Sequence, residues 1–131
     1  MARNRKALVY LDTHVIVWLY AGLVDKLTES SKTAIDGSEL FVSQMVRLEL
    51  QYIYEIGRIK ARADTILNSL AKTIGLKISD IAFSQIIEEA LTLKWTRDVF
   101  DRLLVAEAKT LGYGLISADW NIQSNFKQTI W

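Results

Sequence analysis

Cysteine and proline are absent from this 131-residue chain, and histidine occurs once, as His14. Without cysteine there is no disulfide framework, no thiolate nucleophile and no cysteine zinc site, and a reducing compartment is compatible. A single imidazole excludes a multi-histidine metal centre within one chain. A metal would need oxygen ligands, which favours magnesium or manganese over zinc. An excess of one charge is missing too: 16 lysines and arginines stand against 15 acidic residues, so no net basic field attracts a polyanion. Contacts to phosphate must come from local arrangement. No repeat and no low-complexity linker marks a boundary, and a single domain over residues 1–131 is expected.

Long apolar runs are also lacking. Arg3, Arg5 and Lys6 followed by ALVYLDTHVIVWLYAGL imitate the basic and apolar regions of a secretory leader. Asp12 and His14 interrupt the apolar stretch, and no small-x-small cleavage site follows it cleanly. The uninterrupted run is far below the roughly 20 residues of a membrane span. A cytoplasmic protein without a membrane segment is the expectation.

What is present is a folding composition, 50% hydrophobic and 24% charged, with a mean hydropathy of +0.14. Residues 7–11, ALVYL, form an apolar run too short for a helix and rich in strand formers, which reads as a buried strand. Helical spacing follows in HVIVWLYAG to Gly22, and a second short helix runs from near Thr28 to Gly37. Strands are expected at 39–44 (ELFVSQ), in LKISD, in GLIS and in FKQTIW. Helices are expected from Met45 to Gly57, over about 60–74, in FSQIIEEALTL, in DVFDRLLVAEAKTLG and for a short turn from Trp120. Strands alternating with helices imply an α/β fold with a mostly parallel sheet covered on both faces. The stretch 45–75 reads as a helical hairpin over the carboxylate-bearing edge.

Four acidic residues stand out. Asp12 directly follows the first strand and Asp119 follows the fourth, so both lie at carboxyl ends of strands, where open α/β sheets bind ligands. Each also suits a helix N-cap. Glu49 lies three residues after Val46 and four before Ile53, on the stripe that faces the core. A glutamate is rarely buried unpaired, so it either reaches water, pairs with Arg47 or Arg58, or helps hold a cation. Asp98 and Asp101 have capping-box spacing, with Asp98 at the N-cap. Asp101 shares its stripe with Leu104, Val105 and Ala108 and turns inward. Converged at ~4 Å in an effective dielectric of ~20, each like-charged pair would cost several kcal/mol. A divalent cation removes that repulsion and suits phosphodiester hydrolysis.

Supporting residues are less specific. His14 stands alone inside an apolar helix and reads as structural or as support for the acids. Arg97 and Arg102 flank Asp101 as candidates for phosphate contact or pairing with the acids, and Ser117 is placed to orient Asp119 or a water. Trp18, Trp95, Trp120 and Trp131 are capable of stacking on bases, although most tryptophans are core or interface residues.

The ordered set LDTHVIVWL, RLELQY, RDVFDRLLVAEA and LISADWNI resembles the PIN-domain ribonucleases, and within them the VapC-like toxins of type II toxin-antitoxin systems. The resemblance covers nearly the whole chain. It implies a three-layer α/β/α sandwich, magnesium- or manganese-dependent endonucleolysis of RNA, frequent homodimers and a cognate antitoxin that enters the active groove. Carried over by motif, the catalytic acids are Asp12, Glu49, Asp101 and Asp119, with Asp12, Asp101 and Asp119 as metal ligands. Asp98 is a second candidate for the third position. Ser117 stands where the family usually has threonine and keeps the hydroxyl. The common D-P-F-D-R motif reads Asp98-Val99-Phe100-Asp101-Arg102 here, and losing proline at the first helical position should soften that helix start. A competing reading is a non-catalytic PIN-like module whose acidic groove docks a basic partner segment. A third, phosphoryl transfer onto a strand-end aspartate, is disfavoured because His14 occupies the place of its usual second aspartate.

Overall fold

The structure, a computed structural model, describes residues 6–131, so Arg3 and Arg5 of the leader-like segment lie outside it. Five strands form one sheet: β1 (Ala7–Leu11), β2 (Ser38–Val42), β3 (Lys77–Ile78), β4 (Gly114–Ile116) and β5 (Thr129–Ile130). Their order is β3-β2-β1-β4-β5 and all four pairings are parallel. The connecting helices are α1 (Thr13–Ala21), α2 (Glu29–Gly37), α3 (Gln44–Glu55), α4 (Ala63–Ile74), α5 (Phe83–Ala90), α6 (Val99–Leu111) and α7 (Trp120–Asn125). They flank the sheet in a three-layer α/β/α arrangement.

β1 and β4 are central, and Val9, Tyr10, Leu11, Leu115 and Ile116 are essentially inaccessible to solvent. Burial on both faces explains why these strands read as continuous apolar runs rather than alternating ones. The chain steps outward from β1 to β2 to β3 on one side, then returns to lay β4 on the other side of β1. Strand order therefore reverses between β1 and β4, and the crevice at their carboxyl ends is where such sheets take ligands. Asp12 N–H bonds to the Ile116 carbonyl at 3.0 Å and pins the two strand ends together there.

Several boundaries differ from the sequence expectation. β2 ends at Val42 because the buried Ser43 turns the chain, its hydroxyl accepting from Val46 N–H at 3.0 Å as the N-cap of α3. The two outer strands shrink from LKISD and FKQTIW to two paired residues each, since an edge strand is held by a ladder on one side alone. α4 starts at Ala63 rather than near 60, where the Gln51 side chain on α3 accepts Ala63 N–H at 3.2 Å. That bond supplies the cap that Arg62 cannot and joins the two helices of the expected hairpin. α5 stops at Ala90, short of Leu93, and a short 3-10 turn at Val24–Lys26 was not anticipated.

α6 begins at Val99 as a proline there would make it begin, because Asp98 accepts Asp101 N–H at 2.9 Å. It ends at Gly112, whose φ of 71° is left-handed and costs glycine little. No helix of the described residues is long and apolar enough to cross a membrane.

Candidate functional site

Three residues at the β1/β4 crevice are joined directly. The Ser117 hydroxyl donates to Asp12 Oδ2 at 2.5 Å and accepts from Asp119 N–H at 3.1 Å. Asp12 Oδ1 accepts Thr13 N–H at 2.7 Å, and Asp119 Oδ1 accepts Ile122 N–H at 2.9 Å. Both aspartates are therefore the helix caps that their strand-end positions suggest, for α1 and α7. Capping does not compete with a place in the site: it fixes one carboxylate oxygen and so orients the other.

Glu49 reaches the same place from α3, where Thr13 Oγ1 donates to its Oε1 at 2.5 Å. Arg47, one of its expected ion partners, instead forms a forked pair with Asp64 at 2.8 and 3.1 Å. Thr13 was not singled out in the sequence. The signal was its position between Asp12 and the helix, where its N–H meets Asp12 while its hydroxyl meets Glu49. Asp101 is half-buried on the first turn of α6, and Asp98, the cap of that helix, is exposed.

The acids share one electrostatic environment. Burial raises the Asp101 pKa, and the neighbouring charges of Asp98, Asp12, Asp119 and Glu49 raise it further, to about 7. Asp12 is also raised, mainly by burial, against the lowering effect of its bonds from Ser117 and Thr13. Glu49 is raised by burial first, then by Asp12 and Asp98, and the Thr13 hydroxyl opposes this. Protonated, these groups avoid their mutual repulsion, whereas a cation would favour their ionised forms.

The donor set is oxygen throughout: Asp12, Glu49, Asp101, Asp119 and the Ser117 hydroxyl. Among the described residues no group of three or more acidic or histidine side chains is close enough to hold one ion directly. Hydrogen bonds to backbone N–H groups and Ser117 hold Asp12 and Asp119 where they cap helices. Magnesium commonly keeps several waters and takes one or two carboxylates, so the set fits a hydrated hard cation.

The supporting residues separate into those at the site and those tied elsewhere. His14 is exposed, its ring 6.0 Å from that of Trp18, and its charge lowers the pKa of both Asp12 and Glu49. Arg102 does not pair with the acids: its Nε donates to the Ala90 carbonyl at 2.8 Å and ties α6 to the end of α5. Arg97 likewise donates to the Lys94 carbonyl at 3.1 Å. Trp18, Trp95 and Trp131 pack partly buried against the core, but Trp120, next to Asp119, is 76% exposed.

A model of the PIN domain matches residues 9–127. The chain belongs to the PIN-domain family. PIN domains are generally nucleases and typically depend on a divalent metal. The matched span includes every acid described above. Among solved structures, the chain is similar to one from VapBC2 of Rickettsia felis, crystallised bound to a DNA fragment from their promoter. The TM-score is 0.66 at 17% identity, covering 89% of this chain and 92% of that one. At this identity the likeness is one of fold, and it agrees with the PIN-like sandwich. No curated protein matches the sequence.

Proposed function

We propose that this PIN domain, spanning the chain as a single unit, is a magnesium- or manganese-dependent endoribonuclease and the toxin of a VapC-type toxin-antitoxin pair. The observation that carries the reading is Asp101, half-buried among acids at the β1/β4 crevice and raised to about 7 by burial and their charge. Such a cluster is costly unless a cation compensates it, and PIN domains are typically metal-dependent.

Asp12, Asp101 and Asp119 would hold one or two divalent ions, in part through water, and Glu49 would complete the shell or orient water. Ser117 fixes Asp12, and Thr13 fixes Glu49 through its hydroxyl and Asp12 through its N–H. The ion, when bound, supplies Lewis acidity toward water and the phosphodiester. The buried floor under Asp12 limits water and strengthens each charge interaction. Asp98 sets the start of α6, and His14 moderates the negative potential at the crevice mouth.

The proposed partners are an RNA substrate, a cognate antitoxin and a second copy of the chain, in the cytoplasm. Two exposed apolar stripes, Leu48 and Tyr52 on α3 with its C-cap Ile56, and Phe83 and Ile87 on α5 with its C-cap Leu91, support association with other protein surfaces. The test is cleavage of a fluorescent unstructured RNA by wild type and Asp12→Asn, with magnesium, manganese or chelator. Metal-dependent cleavage by wild type, lost in the folded variant, is expected. Undiminished cleavage by Asp12→Asn sinks the assignment, and RNA binding without turnover favours a docking module.

A further inference from the structure

Trp120 is the most exposed of the large apolar residues among those described, at 76%. Trp18, Trp95 and Trp131 all pack against the core. An indole left in water forfeits the stabilisation that its burial would give, so the fold does not account for this one. Its position is specific. It follows Asp119 as the first residue of α7, and Asp119 N–H and Asp12 Oδ2 meet at one atom, Ser117 Oγ.

The backbone beneath the indole is fixed. Asp119 caps α7 through Ile122 N–H at 2.9 Å, the Ser124 hydroxyl donates to the Trp120 carbonyl at 2.8 Å, and Ile122 is fully buried. An exposed ring with two side-chain torsions on a rigid base loses little entropy when a flat ligand covers it.

The surroundings distinguish what that ligand is. The exposed apolar residues of α3 and α5 lie at i, i+4, i+8 and form stripes of the kind that cover protein surfaces. Trp120 has no such company on its helix, where Asn121, Gln123, Ser124 and Asn125 are all exposed and polar. One ring in a polar setting, on the residue that follows Asp119, suits a single nucleobase, which offers a π-face whatever its identity.

We propose that Trp120 is a positioning residue that stacks on an unpaired base next to the scissile phosphate and holds the strand in register with Asp12 and Asp119. This rests on the ribonuclease reading above. A base held in a duplex has no free face to offer, so the contact selects unpaired substrate.

Steady-state cleavage of an unstructured RNA oligonucleotide with magnesium or manganese tests this, using the full chain and the variants Trp120→Ala, Trp120→Phe and Tyr20→Ala. Tyr20 is an exposed aromatic on the last turn of α1, away from the carboxyl ends of the strands. Stacking measured by alanine substitution implies a KM rise of about five-fold or more for Trp120→Ala, with kcat within about two-fold. Trp120→Phe restores most of the loss, Tyr20→Ala matches wild type, and thermal melts of all three coincide with wild type. Unchanged KM in a folded Trp120→Ala variant overturns the proposal, as does an equal KM rise in Trp120→Phe. Should wild type bind the oligonucleotide without cutting it, the nuclease reading fails alone, and the same pattern in Kd by fluorescence anisotropy still decides the role of Trp120. A Trp120→Ala effect on self-association with none on RNA would assign the ring to a protein interface and overturn it.

Discussion

Replacing Asp101 by asparagine should make the metal-free protein more stable above neutral pH while removing its function. In the folded protein the Asp101 carboxyl has a pKa of about 7, against 3.8 for an unperturbed aspartate. The folded state holds this proton more tightly than the unfolded chain does. The group's favourable contribution is therefore fully present below about pH 4, declines as pH rises, and is lost through pH 7. A difference of about three units corresponds to about 4 kcal/mol at face value. Asp101 is only half-buried and solvent screens its neighbours, so about 1–2 kcal/mol survives. Its carboxylate accepts no hydrogen bond from another described residue, so asparagine forfeits none. Urea unfolding in chelator is the assay. The variant should match wild type near pH 4.5 and exceed it by about 1–2 kcal/mol at pH 8.5, a melting shift of about 4–8 °C. Added manganese should stabilise wild type at pH 8.5 and the variant much less. A stability difference independent of pH, or a variant less stable at pH 8.5, would refute the electrostatic reasoning.

Ser117→Ala removes a donor to the buried Asp12 carboxylate and leaves the Asp119 N–H without its acceptor, which should cost about 1.5–3 kcal/mol in urea unfolding at pH 7. Thr13→Val keeps the N–H that bonds Asp12 but loses the hydroxyl that holds Glu49. RNA cleavage should fall by about ten-fold or more, with little change in the thermal midpoint. The Tyr10 hydroxyl is buried facing Glu107 and Ser79 without a hydrogen bond of good geometry, and burial holds its pKa well above the usual value. Tyr10→Phe should accordingly leave stability within about 1 kcal/mol of wild type by calorimetry.

The central strands were legible because burial on both faces leaves an unbroken apolar run: β1 occupies the expected residues 7–11. Outer strands were overextended because pairing on one side is decided by neighbours, not by local pattern. Asp12, Asp98 and Asp119 were legible as caps from their positions, and the inward stripes of α3 and α6 marked Glu49 and Asp101. Thr13 was hidden because its partner lies 36 residues away on another element. Pairing of Arg102 with the acids, one of its two expected roles, is not seen for a related reason: next to Asp101 in sequence, its Nε turns to a carbonyl of α5. Trp120 went against the usual burial of its residue type, and exposure of that kind depends on how the short α7 is anchored through Ile122.

The proposed function depends on the carboxylates acting together on bound cation. Manganese binding followed by electron paramagnetic resonance tests this without reference to any RNA. Wild type should take up manganese with an affinity that rises with pH through about 7, as Asp101 ionises. Asp12→Asn and Asp119→Asn should each weaken it by about ten-fold or more while remaining folded. Equal manganese uptake by wild type and both variants would contradict a shared metal centre.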